Sequence, residues 1–110
     1  MNLVIDIVDE NRKSIVNLSG EIDAYTAPKL KEAILPLTKH SGHLVEVNLE
    51  EVNYMDSTGL GIFISALKST KENDSQMKLA NLQDRVLRLF KITGLDNIIE
   101  INAAIRGGNE

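Results

Sequence analysis

Cysteine and tryptophan are both absent from this chain of 110 residues. Without cysteine there can be no disulfide, no thiolate chemistry and no zinc site that needs sulfur. Aromatic side chains are limited to Tyr25, Tyr54, Phe63 and Phe90, and the formal net charge is −4. Nucleic-acid binding usually needs a basic face to neutralise phosphates, and often aromatics for stacking; the sequence offers neither, so no direct nucleic-acid partner is expected. Long apolar runs are missing as well. The longest uncharged stretch, 57–67, is well short of the roughly 20 residues of a membrane span. Residues 1–6 lack a basic n-region, and Asp6 interrupts their apolar run, so they do not read as a signal peptide. The expectation is a single cytoplasmic domain over residues 1–110, with no membrane partner and a loose tail over about 103–110.

What is present is strong periodicity. Leu3, Ile5 and Ile7 alternate with Val4, Asp6 and Val8, and Val16 and Leu18 alternate with Asn17 and Ser19, which predicts two strands joined as a hairpin by the charged turn 9–13. Thr26 is placed to cap a first helix, with Pro28 in its first turn. Leu30, Ala33, Ile34 and Leu37 fall on one face of that helix, and Pro36 should kink or end it. Residues 44–49 form the clearest strand. Its alternation suggests that helices cover only one face of the sheet, since a strand covered on both faces reads as a continuous apolar run. A second helix is expected over about 57–71 with Leu60, Phe63, Ile64 and Leu67 inward. A strand at 77–82 follows, then a third helix over about 84–93 with Val86, Leu89 and Phe90 inward and Gly94 as its stop. Residues 98–101 read as a last strand or the start of a helix. The order β-β-α-β-α-β-α predicts an α/β domain: a mixed sheet with helices packed mainly on one face.

The segment with most chemical content is Tyr54-Met55-Asp56-Ser57-Thr58-Gly59-Leu60-Gly61, between a strand and a helix. Asp56 or Ser57 suits the helix cap, and Gly59 and Gly61 sit in the first turns, where glycine costs up to about 1 kcal/mol relative to alanine. They serve either tight packing of helix on sheet or a docking surface centred on a hydroxyl. Such a hydroxyl is a plausible phosphorylation site, because a helix N-terminus tolerates added negative charge. If the strands that precede them are parallel neighbours, Asp23 and Asp56 lie close together, either as two caps or as a carboxylate pair.

Enzyme chemistry fares poorly. Ser57 is not in a Gly-x-Ser-x-Gly elbow, and the only candidate bases, His40 and His43, flank Ser41-Gly42 in a loop expected to be solvated. Neither a phosphate-cradling glycine loop nor a dinucleotide fingerprint occurs, and no third ligand accompanies Asp23 and Asp56, so no metal and no cofactor are expected. Arg85, Arg88 and Lys91 share one side of the third helix, as a solvated face or a patch for an acidic partner.

The run Asp56-Ser57-Thr58-Gly59-Leu60-Gly61, preceded by Tyr54-Met55, resembles the signature of bacterial anti-sigma factor antagonists of the STAS family, nearest to those of the general stress-response (sigma-B type) system of Gram-positive bacteria. Gly20-Glu21-Ile22-Asp23 is similar to the family's early Gly-Glu-x-Asp element, and residues 84–95 to its C-terminal helix and stop. Thr58 stands where some relatives have serine. The resemblance implies a non-enzymatic regulator with Ser57 as the phosphorylated serine. The unmodified form would bind an anti-sigma factor that is also a serine kinase, freeing the sigma factor. Phosphorylation would end that binding, and a metal-dependent serine phosphatase would restore it. Asp23, Asp56, Ser57, Thr58, Gly59 and Gly61 would form the docking surface, and exchange of partners suits a free monomer. A phosphate carries roughly −1.5 to −2 charges. Facing a carboxylate about 6 Å away at an effective dielectric near 20, it meets roughly 4–5 kcal/mol of repulsion, which screening reduces. Two other readings are a STAS-type scaffold or binding module of another regulatory complex, usually fused to further segments, and a nucleotide hydrolase built on Asp23 and Asp56.

Overall fold

The structure, a computed structural model, describes residues 2–103. Five strands form one sheet in the order β1-β2-β3-β4-β5: β1 (Leu3–Glu10), β2 (Lys13–Ile22), β3 (Leu44–Met55), β4 (Gln76–Leu82) and β5 (Glu100–Ala103). β1 and β2 are the antiparallel hairpin expected from their alternation, with Leu3 opposite Gly20 and Glu10 opposite Lys13. Every other pairing is parallel, so each crossover carries helix: α1 (Ala27–Ile34), α2 (Ser57–Asn73) and α3 (Asp84–Ile92). The uncertain segment 98–101 resolves into strand from Glu100. Beyond Ala103 the expected tail lies outside the described residues.

Val45, Val47 and Leu49 of β3 are fully buried, and Leu3, Val16, Leu18, Met77 and Leu79 join them in one core beneath the helices. On the opposite face, Asn48 donates through Nδ2 to Asn17 Oδ1 at 3.0 Å, and Asn81 Nδ2 donates to Asn48 Oδ1 at 3.1 Å. That amide row across three strands belongs to a polar face, in keeping with helices on one side only. Phe63 of α2 and Phe90 of α3 meet at 6.1 Å between ring centroids in a tilted pair, which joins the two helices above the sheet.

Pro36 acts as its chemistry requires. α1 stops at Ile34, and the chain tightens into a 3-10 turn, Leu35–Lys39, with the proline in its first positions. After α3 the chain reverses at Gly94, whose φ of 78° places it in the left-handed region. Gly20 is glycine for a different reason: its φ is 122°, and a Cβ there would collide with the carbonyl oxygen of Asn2.

Three expectations need correction. Thr26 stands at the N-cap of α1, but its side chain makes no capping bond. Its hydroxyl donates back to Glu21 O at 2.9 Å and accepts from Asp23 N at 2.9 Å, because the helical φ and ψ of Thr26 aim the hydroxyl at the incoming strand. Ile64 is not inward but 46% exposed. The buried stripe of α2 runs through Gly59, Leu60, Phe63, Ala66 and Thr70, since small residues at 59 and 66 bring that side of the helix closest to the sheet. His43 is not simply solvated: its Nε2 lies 2.8 Å from the buried hydroxyl of Ser14, which donates to Asp9 Oδ1 at 2.6 Å. With the serine proton committed to Asp9, the imidazole Nε2 must be the donor in that contact. The group latches the β1–β2 hairpin to the start of β3.

Candidate functional site

Parallel pairing of β2 and β3 sets Ile22 opposite Met55, so both strands release the chain at the same end of the sheet. The N–H of Asp56 donates to the carbonyl of Ile22 at 3.2 Å, which ties the two exits together. Asp23 and Asp56 are therefore neighbours, as the sequence predicted conditionally, and each is occupied by its own turn. Asp23, only 9% exposed, accepts from Tyr25 N at 2.9 Å and Thr26 N at 3.0 Å through Oδ1. Asp56 is the N-cap of α2, its extended backbone letting Oδ1 accept from Thr58 N at 2.9 Å and Gly59 N at 3.4 Å.

Ser57 is the first residue of α2. It is exposed, as is Thr58, and the Ser57 hydroxyl has no hydrogen-bond partner among the described residues. It stands at the positive end of a helix of 17 residues with both neighbouring carboxylates directed at backbone N–H groups. The two glycines have separate jobs. A Cβ on Gly59 would sit 2.7 Å from Ile22 Cγ2 and 2.7 Å from Met55 Cγ, whereas one on Gly61 would meet nothing within 4 Å. Gly59 is thus a packing glycine underneath, and Gly61 lies on the open outer side of the helix, beside Ser57 and Thr58.

Tyr25, 89% exposed, and Tyr54, 45% exposed, flank this end of the sheet; the sequence placed Tyr54 just ahead of the signature but gave no sign of Tyr25, since exposure of an aromatic is set by tertiary packing. Among the described residues no group of three or more His, Cys, Asp or Glu could hold a metal ion, and no helix is long and apolar enough to cross a membrane. Arg85, Arg88 and Lys91 are exposed along α3. The chemistry on offer is that of an accessible alcohol on a rigid, hydrogen-bonded platform.

Comparison with known proteins places this geometry in company. Residues 3–107 match the STAS domain model. The anti-sigma-B factor antagonist of Bacillus subtilis is 44% identical over 108 residues, covering 98% of each chain. That of Listeria monocytogenes is 49% identical over 102 residues, covering 92% of this chain and 90% of its own. Among solved structures, an anti-sigma factor antagonist from Mycobacterium paratuberculosis superposes with a TM-score of 0.82 at 26% identity, covering 92% of this chain and 86% of its own.

Proposed function

This chain belongs to the STAS domain family, and from that premise we propose that it is an anti-sigma factor antagonist whose docking is switched by phosphorylation of Ser57. It is a regulatory binding protein rather than an enzyme, in line with relatives named anti-sigma-B factor antagonists over nearly their whole length. Its partner is an anti-sigma factor. At the finer level, that partner is also the serine kinase that modifies Ser57, a metal-dependent phosphatase reverses the modification, and the exchange takes place in the cytoplasm with the antagonist monomeric when free.

The observation that carries this reading is the free, exposed hydroxyl of Ser57 at the first position of α2. A kinase needs an alcohol it can reach without unfolding its substrate, and this one has no internal bond to break. Ser57, Thr58 and Gly61 present an outer surface of small side chains that a partner can approach closely. Asp23, Asp56 and Gly59 support it from beneath by holding the two connections and seating the helix.

A phosphate on Ser57 would bring roughly −1.5 to −2 charges to that surface. A partner packed against it must strip water from the anion, which costs several kcal/mol per ion unless new partners replace the water. About 3 kcal/mol already weakens binding roughly a hundredfold. The test is direct: incubate the protein with its anti-sigma partner and ATP, then map the phosphate by mass spectrometry. Modification of Ser57 with loss of the complex is expected. Phosphate on another residue, or a complex that survives it, overturns the reading.

A further inference from the structure

The first turn of α2 has almost no hydrogen-bonding capacity to spare. Of the donors a helix start leaves open, Asp56 N goes to Ile22 O, while Thr58 N and Gly59 N both go to Asp56 Oδ1. Leu60 N closes on the Asp56 carbonyl at 3.2 Å. Only the N–H of Ser57 itself is without a partner among the described residues. Phosphate ordinarily settles on the free N–H groups of a helix N-terminus; here a carboxylate is already seated on two of them, those of Thr58 and Gly59.

We propose that Asp56 is a positioning residue for the phosphorylated state: it keeps the phosphoryl group of Ser57 off the end of α2, so that the group stays hydrated, its charge uncompensated by the helix, and open to a phosphatase. This rests on Ser57 being the phosphorylated residue. The geometry favours the carboxylate. The side chain that reaches the second and third N–H groups of a helix is that of the N-cap, and Asp56 holds that place in an extended conformation with φ −112° and ψ −171°. A phosphoryl group on the next residue would have to fold back over its own backbone, evict Asp56 and bring two anions together. The end of β2 and the two connections contribute Glu21, Asp23 and Asp56 and no Lys or Arg, so these segments supply no cation to hold the phosphate elsewhere. A phosphate bound by the helix would be partly neutralised and would present a weaker barrier to docking. One kept off the helix exerts its full effect.

The experiment uses the full chain with phosphoserine placed at position 57 during translation, so no kinase is involved. The 31P resonance and the backbone amides are followed by NMR through the second phosphate ionisation, near pH 6. In the wild type, Thr58 and Gly59 amide protons should keep the positions they have in the unmodified protein while the 31P signal titrates. In Asp56→Ala, which frees the donors, both amides should move downfield in step with the phosphate, and its second ionisation should shift to lower pH. Asp56→Asn, which keeps an acceptor without its charge, should leave both amides in place. Wild-type amides that move downfield with the 31P signal would mean that the phosphate evicts Asp56, and the proposal fails. It fails equally if Asp56→Ala behaves as wild type. The wild-type titration decides alone should the alanine variant not fold. Failure here leaves phosphorylation of Ser57 untouched, since mass mapping decides that separately.

Discussion

Gly59 of α2 lies so close to Ile22 of β2 that a single added methyl group would stand 2.7 Å from the isoleucine Cγ2. The contact joins the first turn of the helix carrying Ser57 to the end of the strand leading to Asp23. It makes the platform one packed unit rather than two independent loops.

Gly59→Ala should therefore be destabilising even though alanine is the better helix former. The propensity gain is about 1 kcal/mol, while overpacking a tight site typically costs about 1–3 kcal/mol, and Met55 crowds the same point. Gly61→Ala, with open space around it, should instead raise stability by up to about 1 kcal/mol. Urea denaturation of the two variants tests the pair; an equal effect of both would contradict the separate roles assigned to them.

Ser57→Ala should retain binding to the anti-sigma factor and accept no phosphate. Ser57→Asp should bind more weakly by about tenfold or more, equivalent to roughly 1.4 kcal/mol, since one carboxylate imitates phosphate only in part. Titration calorimetry with the purified partner provides the comparison, and wild-type affinity in Ser57→Asp would argue against a charge switch.

Phosphorylation should leave the fold intact, because Ser57 Oγ is exposed and makes no internal bond to lose. The melting temperature of the phosphorylated chain should stay within about 10 °C of the unmodified one. A larger drop in a calorimetric scan would mean that the modification unfolds the helix start instead of altering a surface.

Asp23→Ala should cost about 1–3 kcal/mol, the usual penalty for leaving buried donors unsatisfied, because Tyr25 N and Thr26 N both lose their acceptor. Asp23→Asn, which keeps that acceptor oxygen, should recover most of the loss. Chemical denaturation settles the point: equal instability of both variants would show that charge, not hydrogen bonding, holds the turn.

At the opposite end of β3, Ser14→Ala should lower stability by about 1 kcal/mol through loss of the links to Asp9 and His43. His43→Ala should cost less, since Ser14 then keeps Asp9. Thermal melts of the two variants rank them, and the reverse order would place the latch on the imidazole instead.

The alternation of β1, β2 and β3, the helix ended by Pro36 and the stop at Gly94 were legible from local sequence, because strand alternation, proline geometry and left-handed glycine are properties of a residue and its near neighbours. The resemblance read from residues 20–23, 54–61 and 84–95 reached the family for the same reason: its signature is contiguous. Other features depended on contacts between distant segments. That Gly59 is buried and Gly61 open follows from Ile22 and Met55 lying beneath one and not the other. That Ile64 faces outward follows from how closely α2 settles on the sheet, and His43 meets Ser14 only because β3 pairs with β2. Periodicity specifies which side of a helix is more apolar, but the rotation that buries one glycine and exposes the next is set by the surface against which the helix packs.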